Sequence, residues 1–477
     1  MPKLVLTNIE TPKSGTGGHP PLGIAYLASY LMKYLDFHDI KIIDKPKNYF
    51  EAIKKLKPDI VGIGYCTMDA LIAERIAEQI KSELKIPVIA GGQHISQIPH
   101  TLSKAFDVCA IGEGEQSLLE LMKIFLKNEE LQSSVLKNIR GIAFHNDGKV
   151  VINERRPLIE PLDTIPFPAR NLFDMKSYLA PRRSVSDKRL SRGTHMFTSR
   201  GCPFKCVFCA SSHFWDKIRY NSARYVVDEM KMLVEKYKVE GILIFDDLFA
   251  GDTNRMREII RLMKEEGLKD KLNFRCYTRV QLVADEERCK LMKEIGITDL
   301  SLGFESASQR ILSYIKDGNV TIEHSKKALK NAKKFGFSVH GCFILGSPME
   351  TKDDMLKTLK FIRNNPMDTI DLCVLTPLPG SRLWDWAKEK GFVNDDMNFS
   401  ILNTEPANLN DIIYMNETIT KDEFEEVYNM IKKEVDNLNF TVDFRLKHLL
   451  SLNLWGRVLV HPLASSRYFY HYIKKWF

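Results

Sequence analysis

The run Gly201-Cys202-Pro203-Phe204-Lys205-Cys206-Val207-Phe208-Cys209 places three thiols on one short loop. Thiolates so close in sequence can close around a single metal centre, and two chemistries suit them. Ligating three irons of a four-iron cube leaves the fourth iron open for redox work on a bound substrate. Alternatively His213, four residues beyond Cys209, completes a closed Cys3His zinc site. The other six cysteines (Cys66, Cys109, Cys276, Cys289, Cys342, Cys373) stand singly in apolar stretches, and nine is an odd total. A secreted disulfide scaffold is shorter and denser in cysteine, so the reading is a reducing, cytoplasmic setting.

A loop of this kind needs a rigid element behind it, and a strand-like run, Met196–Ser199, directly precedes it. Further runs follow at Gly241–Phe245, Asn273–Thr278, Asp299–Gly303, Ser338–Leu345 and Thr369–Leu375. Each leads into a helical stretch, the last being Arg382–Lys390. Six such β/α units predict a curved, partly closed barrel with its chemistry at the carboxyl ends of the strands.

Residues 1–125 alternate in the same way, with strands expected at Leu4–Ile9, Ile40–Asp44, Asp59–Tyr65, Pro87–Gly91 and Val108–Gly112. Amphipathic helices are expected at Leu22–Leu35, Tyr49–Leu56, Ala70–Leu84, Ile98–Ala105 and Gln116–Phe125. This pattern predicts an open parallel sheet whose ligand sits at the strand carboxyl ends. Those ends are glycine-rich or polar: Ser14-Gly15-Thr16-Gly17-Gly18, Cys66-Thr67-Met68, Gly91-Gly92-Gln93-His94 and Gly112-Glu113-Gly114-Glu115. Glycine there lets backbone approach a large ligand.

The fold class is therefore α/β: an N-terminal open parallel Rossmann-like sheet, a partial (β/α)6 barrel, and a mostly helical C-terminal region. The expected boundaries are 1–135 for the front domain, 136–192 for a hairpin and proline-rich linker, 193–390 for the barrel, and 391–477 for a substrate-pocket or lid region. Apolar content of 44% and charged content of 27% are ordinary for a globular protein. The net charge of +8 is spread along the chain, a solvated basic surface explains it better than attraction to anionic substrates or membrane surfaces, and no nucleic-acid partner is expected. No signal-peptide core follows Met1, and no run reaches the ~20 apolar residues of a spanning helix.

Downstream of the cysteines, motifs fall at the ends of successive strands: Phe245-Asp246-Asp247-Leu248-Phe249, Gly303-Phe304-Glu305-Ser306, Gly346-Ser347-Pro348-Met349-Glu350-Thr351, and Pro377-Leu378-Pro379-Gly380-Ser381-Arg382-Leu383. With the Cys-x3-Cys-x2-Cys loop, this ordered series over residues 195–390 resembles the radical S-adenosylmethionine superfamily. The branch it resembles carries an N-terminal cobalamin-binding domain. That branch contains cobalamin-dependent radical methylases, anaerobic magnesium-protoporphyrin cyclases and methylthiotransferases. The ordered series favours the iron–sulfur reading of the loop over zinc.

The resemblance implies a [4Fe–4S] cluster on Cys202, Cys206 and Cys209. Its open iron would bind S-adenosylmethionine, and reduction would release methionine and a 5′-deoxyadenosyl radical. Phe208 would lie near the adenine, or else be an ordinary core aromatic. Asp246 and Asp247 would accept hydrogen bonds from the methionine amine, or else cap the following helix. Glu305 would bind the ribose hydroxyls, Gly346 would let backbone approach the adenine, and Arg279 would bind the methionine carboxylate. Met349 stands where the family usually has glycine, which puts the turn before Glu350 in question.

Pro20-Pro21-Leu22-Gly23-Ile24-Ala25-Tyr26-Leu27 and Asp59-Ile60-Val61-Gly62-Ile63 extend the resemblance into the front domain. It implies cobalamin bound near Thr67, Gly91, Gly92, Gly112 and Glu113. No Asp-x-His-x-x-Gly occurs, since Lys41 stands where the glycine is needed after Asp36 and His38, so no lower axial histidine is expected. His94 is a candidate ligand or a helix-start contact. The implied activity is radical methyl transfer to an unactivated carbon, methylcobalamin delivering the methyl group. The rivals are radical cyclisation or oxidation without methyl transfer, and a non-catalytic Fe–S electron carrier. Expected partners are a small-molecule or lipid substrate and an external flavodoxin- or ferredoxin-type electron donor. Leu449–Val460 and the basic aromatic residues after it suit a lid helix or a peripheral membrane contact.

Overall fold

Period-two alternation builds the first sheet. In β1 (Leu4–Ile9), Leu4 and Leu6 enter one buried layer, while Val5 and Ile9 enter the layer on the other face. Strands β2 (Ile40–Ile43), β3 (Ile60–Tyr65), β4 (Val88–Gly91) and β5 (Val108–Ala110) join it in parallel, in the order β2-β1-β3-β4-β5. Chain order therefore reverses beside β1, and the crevice at the ends of β1 and β3 is the ligand position of such sheets. The computed structural model describes residues 2–11, 18–127, 131–179, 182–183, 190–215, 217–318, 320–406 and 409–443. Ser14–Gly17 and the apolar and aromatic stretch from Leu449 to Phe477 lie outside those residues.

Helix Leu22–Leu35 forms where the sequence places it. The helix expected at Ile98–Ala105 does not. A short helix, Gln93–Gln97, starts at Gly92, followed by a 3-10 turn at Pro99–Thr101. Ser103 diverts the chain: its hydroxyl donates to Glu74 at 2.6 Å and accepts from the Ala105 N–H at 3.3 Å, a local alternative to helix. The hairpin β6 (Ile142–Asn146) and β7 (Lys149–Ile152) adds antiparallel to the edge of β5, so it completes the front sheet rather than standing apart. The proline-rich stretch is packed too. Ile159, Leu162 and Ile165 bury against Leu22, Tyr26 and Tyr30, and Arg170 forms a wholly buried ion pair with Glu229 at 2.6 Å.

The second sheet runs in strict chain order and is parallel throughout: β8 (Gly193–Met196), β9 (Gly241–Ile244), β10 (Asn273–Thr278), β11 (Ile297–Glu305), β12 (Ser338–Leu345) and β13 (Thr369–Val374). β8 and β13 do not pair, which leaves the barrel partial. The C-terminal helix Lys421–Asp443 covers the β13 edge. There the Asn439 side chain accepts from the Ile370 N–H and donates to the Ile370 carbonyl, both at 2.8 Å. An open strand edge is thereby satisfied by a side-chain amide. Among the described residues no helix is long and apolar enough to cross a membrane.

Candidate active site

The cysteine loop leaves β8 through Thr198 and Ser199, not as a straight continuation of strand. Both residues turn their donors onto Asp246 at the end of β9: the Thr198 N–H and hydroxyl at 2.6 and 2.5 Å, and the Ser199 N–H and hydroxyl at 3.2 and 2.7 Å. Asp246 is thus saturated by its own fold. Burial pushes its carboxyl up, against the Thr198 and Ser199 donors. Gly201 then takes φ +95°, and a Cβ there would meet the Lys217 carbonyl oxygen at 2.6 Å. Only glycine lets the loop start in this way.

Main-chain bonds fix the middle of the loop. The Val207 N–H donates to the Ile315 carbonyl at 2.9 Å, and the Leu383 N–H donates to the Val207 carbonyl at 3.0 Å. The Cys209 N–H donates to the Cys206 carbonyl at 3.2 Å, closing a tight turn between the two cysteines. Cys206 is buried, and Cys202 and Cys209 are half-buried. Arg279, at the end of β10, donates from Nη1 to Cys206 Sγ at 3.4 Å. Its guanidinium carbon sits 3.6 Å from the centre of the Phe204 ring, and its Nη2 is buried without a protein partner. Burial pushes the Cys202 thiol up, Asp247 and Cys206 push it further, and the Phe204 N–H and Arg279 oppose them. Three soft donors carried on one loop, beside a cation whose Nη2 is unsatisfied, fit an anionic iron–sulfur cluster or a carboxylate bound next to one.

Asp247 accepts from the Ser211 hydroxyl at 3.1 Å and from the Gly201 N–H, and burial pushes its carboxyl up. Glu305 ends β11 at φ +62° and pairs with Lys316 Nζ at 2.6 Å, both side chains being buried. A Cβ on Gly303 would lie 2.2 Å from a Glu305 carboxylate oxygen, so glycine makes room for this carboxylate. Lys316 Nζ lies 5.9 Å from the Phe208 ring centre, linking Glu305 to the cysteine loop. The sequence alone does not mark Lys316. It follows Glu305 across a short helix, and nothing in the spacing singles it out.

Gly346 takes φ +91°, and the turn after it is held from within: Glu350 accepts from the Gly346 and Ser347 N–H groups at 2.6 and 3.2 Å. Met349 does not need positive φ, so the missing glycine there leaves the turn intact.

A cavity of about 420 Å³ lies between the two sheets, where the strand ends of the front domain face the cysteine loop. Its front wall includes Asn8, Gly91, Gly92, Gly112 and Glu113, and its barrel wall includes Phe197, Arg200, Phe245 and Asp247. A Cβ added at Gly91 or Gly112 would meet nothing within 4 Å, so both present bare backbone to open space. Gly92 is required for a different reason: at φ +103° its Cβ would strike the Tyr65 carbonyl oxygen at 2.5 Å. Such a glycine-walled cradle fits a large planar ligand brought against backbone.

Glu113 joins the two walls. It accepts from Arg200 at 2.6 Å, from Arg219 at 2.9 Å, and from the Ile159 N–H at 2.7 Å, while Arg200 also reaches Glu115 at 2.6 Å. Burial would raise its carboxyl, but Arg200 and Arg219 hold it below the ordinary range.

Two sequence candidates lie elsewhere. Thr67 sits in a 3-10 turn, Thr67–Asp69, that packs against the turn Phe399–Ile401 and not on the cavity. His94 is buried against Phe399 and Tyr65, with ring centres 4.6 and 5.8 Å away, and burial lowers it to about 4. Among the described residues no histidine lines the cavity. The side chain of His213 lies outside the description.

The model of the Radical SAM superfamily matches residues 196–362, and that of the B12 binding domain matches residues 14–122. An uncharacterized methyltransferase of Pyrococcus horikoshii is 37% identical over 386 residues, covering 78% of this chain and 79% of its own. The anaerobic magnesium-protoporphyrin IX monomethyl ester cyclase of Rubrivivax gelatinosus is 31% identical over 394 residues, covering 80% and 68%. Among solved structures, the cobalamin-dependent S-adenosylmethionine radical enzyme OxsB, with aqua-cobalamin and S-adenosylmethionine bound, superposes with TM-score 0.70 at 17% identity, over 97% of this chain and 75% of its own. The radical S-adenosylmethionine methyltransferase TsrM of Kitasatospora setae gives 0.66 at 18% identity, over 82% and 75%. At these identities the two structures speak to fold.

Proposed function

We propose that this chain, which belongs to the radical S-adenosylmethionine superfamily in the branch with an N-terminal B12-binding domain, methylates an unactivated carbon of a small molecule. Cys202, Cys206 and Cys209 hold the [4Fe–4S] cluster in this reading, and the cavity walled by Gly91, Gly92, Gly112 and Glu113 takes cobalamin. When bound, these groups supply the electron that cleaves S-adenosylmethionine to a 5′-deoxyadenosyl radical and the cobalt that carries a methyl group.

The protein's own residues do the positioning. Arg279 offers its free Nη2 to the methionine carboxylate while its Nη1 steadies Cys206. Glu305 accepts from the ribose hydroxyls, and Lys316 holds that carboxylate in place. Phe208 flanks the adenine beside them. Gly346 serves through its backbone. Asp246 holds the start of the loop and Asp247, at the cavity wall, is left to accept from the methionine amine. Phe197 and Phe245 exclude water between cavity and barrel. The electron comes from a flavodoxin- or ferredoxin-type donor.

One observation carries this reading. A single cavity is bounded by the glycine tips of the front sheet and by Ser211 and Asp247 beside the cysteine loop. Two cofactors placed on either wall would share one space. The likeness to a cyclase at 31% identity favours a second reading, ring formation without methyl transfer. Incubating cobalamin-loaded protein with S-adenosylmethionine labelled in its methyl group separates them. Methyl transfer yields S-adenosylhomocysteine together with 5′-deoxyadenosine, and cyclisation yields 5′-deoxyadenosine alone.

A further inference from the structure

A second group of metal-type donors sits apart from the cysteine loop. One ring nitrogen of His340, the Sγ of Cys342 and a carboxylate oxygen of Asp371 all lie within 4.8 Å of one another. The topology makes this meeting firm. His340 and Cys342 are alternate residues of β12 and share a face, and Asp371 is the register partner of Cys342 on β13. Their strand neighbours Val339, Phe343, Ile370 and Leu372 point the other way, into the core under the helices. The three donors therefore face the barrel interior, where Glu305, Cys373 and Arg275 lie in electrostatic reach of Cys342.

The geometry points to a zinc-class divalent cation held by His340, Cys342 and Asp371, with its fourth position open to the barrel interior. A mixed nitrogen, sulfur and oxygen set is what zinc takes, and three protein ligands leave one site for water or an oxygen donor of a substrate. Thiolate and carboxylate together balance the charge of the cation. The His340 ring is already oriented for this. Its Nδ1 is hydrogen-bonded to Thr369 Oγ1 at 2.6 Å, the partner that a ligating imidazole needs on its other nitrogen. Nε2 faces Asp371 Oδ2 at 2.8 Å, a contact that a bound cation would open slightly. Nothing in the cysteine loop takes part, so zinc at this site and iron at the cluster can be counted separately.

The test counts metals in full-length protein whose cluster has been assembled anaerobically, then exposed to zinc and desalted. Wild type is expected to keep about one zinc per chain in addition to its iron. Cys342→Ala and Asp371→Asn are expected to hold at least about tenfold less zinc with iron unchanged, the iron serving as the check on folding. Should Cys342→Ala fail to fold, His340→Asn replaces it. Cys202→Ala is expected to lose iron and keep zinc. Wild type without zinc, zinc unchanged in the β12 and β13 variants, or zinc lost only with Cys202 would each overturn the assignment.

Discussion

Arg279 Nη1 lies 3.4 Å from Cys206 Sγ, and its guanidinium carbon sits 3.6 Å from the centre of the Phe204 ring within the same loop. One side chain thus stacks on the loop and donates to one of its thiols. A cation and a hydrogen bond at a cluster thiolate favour the reduced state. Arg279→Met is expected to move the midpoint potential of the cluster to more negative values, measured by a redox titration followed by electron paramagnetic resonance. An unchanged or more positive potential would count against this role.

Glu305 and Lys316 form a buried pair at 2.6 Å beside Phe208. In Glu305→Gln the charged acceptor proposed for the ribose hydroxyls is gone. Binding of S-adenosylmethionine, measured by equilibrium dialysis, is expected to weaken about tenfold, or ~1.4 kcal/mol. Equal affinity in the variant would remove Glu305 from the nucleoside site.

Glu113 fastens the front domain to the barrel through Arg200 and Arg219. Replacing it by alanine leaves two guanidinium groups without their shared carboxylate, and the folded state is expected to lose about 3–5 kcal/mol in denaturant titrations. The folded carboxyl is held below its ordinary value. Its contribution is therefore complete above the usual carboxylate range of about 4.3 and is lost as pH falls through the lower folded value. Glu113→Gln should flatten that acid limb of the stability profile.

Glu350 behaves oppositely. Burial pushes its carboxyl up to about 8, although the Gly346 and Ser347 N–H groups oppose the shift. A value raised on folding gives stability below the ordinary pKa that fades as pH rises through about 8. Glu350→Gln keeps an acceptor and cannot ionise, so its stability should decline less than wild type between pH ~5 and ~8. Parallel denaturation profiles over that interval would contradict the assignment.

Much of this was legible in the chain because local rules and tertiary packing agree. β1, β10 and β12 have the bounds that alternation implies, and helix Leu22–Leu35 ends where Asp36 turns left-handed. The cysteine loop was legible because its donors are contiguous. What escaped notice depends on residues far apart in sequence. Asp246 is consumed by Thr198 and Ser199, Lys316 reaches Glu305 across a helix, and Arg200 meets Glu113 from another domain. Thr67 and His94 stand at strand ends as expected, yet side-chain packing on Phe399 and its neighbours turns this part of the crevice away from the cavity.

Cys202, Cys206 and Cys209 are proposed to hold an iron–sulfur cluster that cleaves S-adenosylmethionine. The direct measurement is 5′-deoxyadenosine, quantified by chromatography after anaerobic incubation of reconstituted protein with dithionite and S-adenosylmethionine. Wild type should form it well above the level of Cys206→Ala. Colourless wild-type protein carrying stoichiometric zinc on the loop, with no more nucleoside product than Cys206→Ala, would contradict the account.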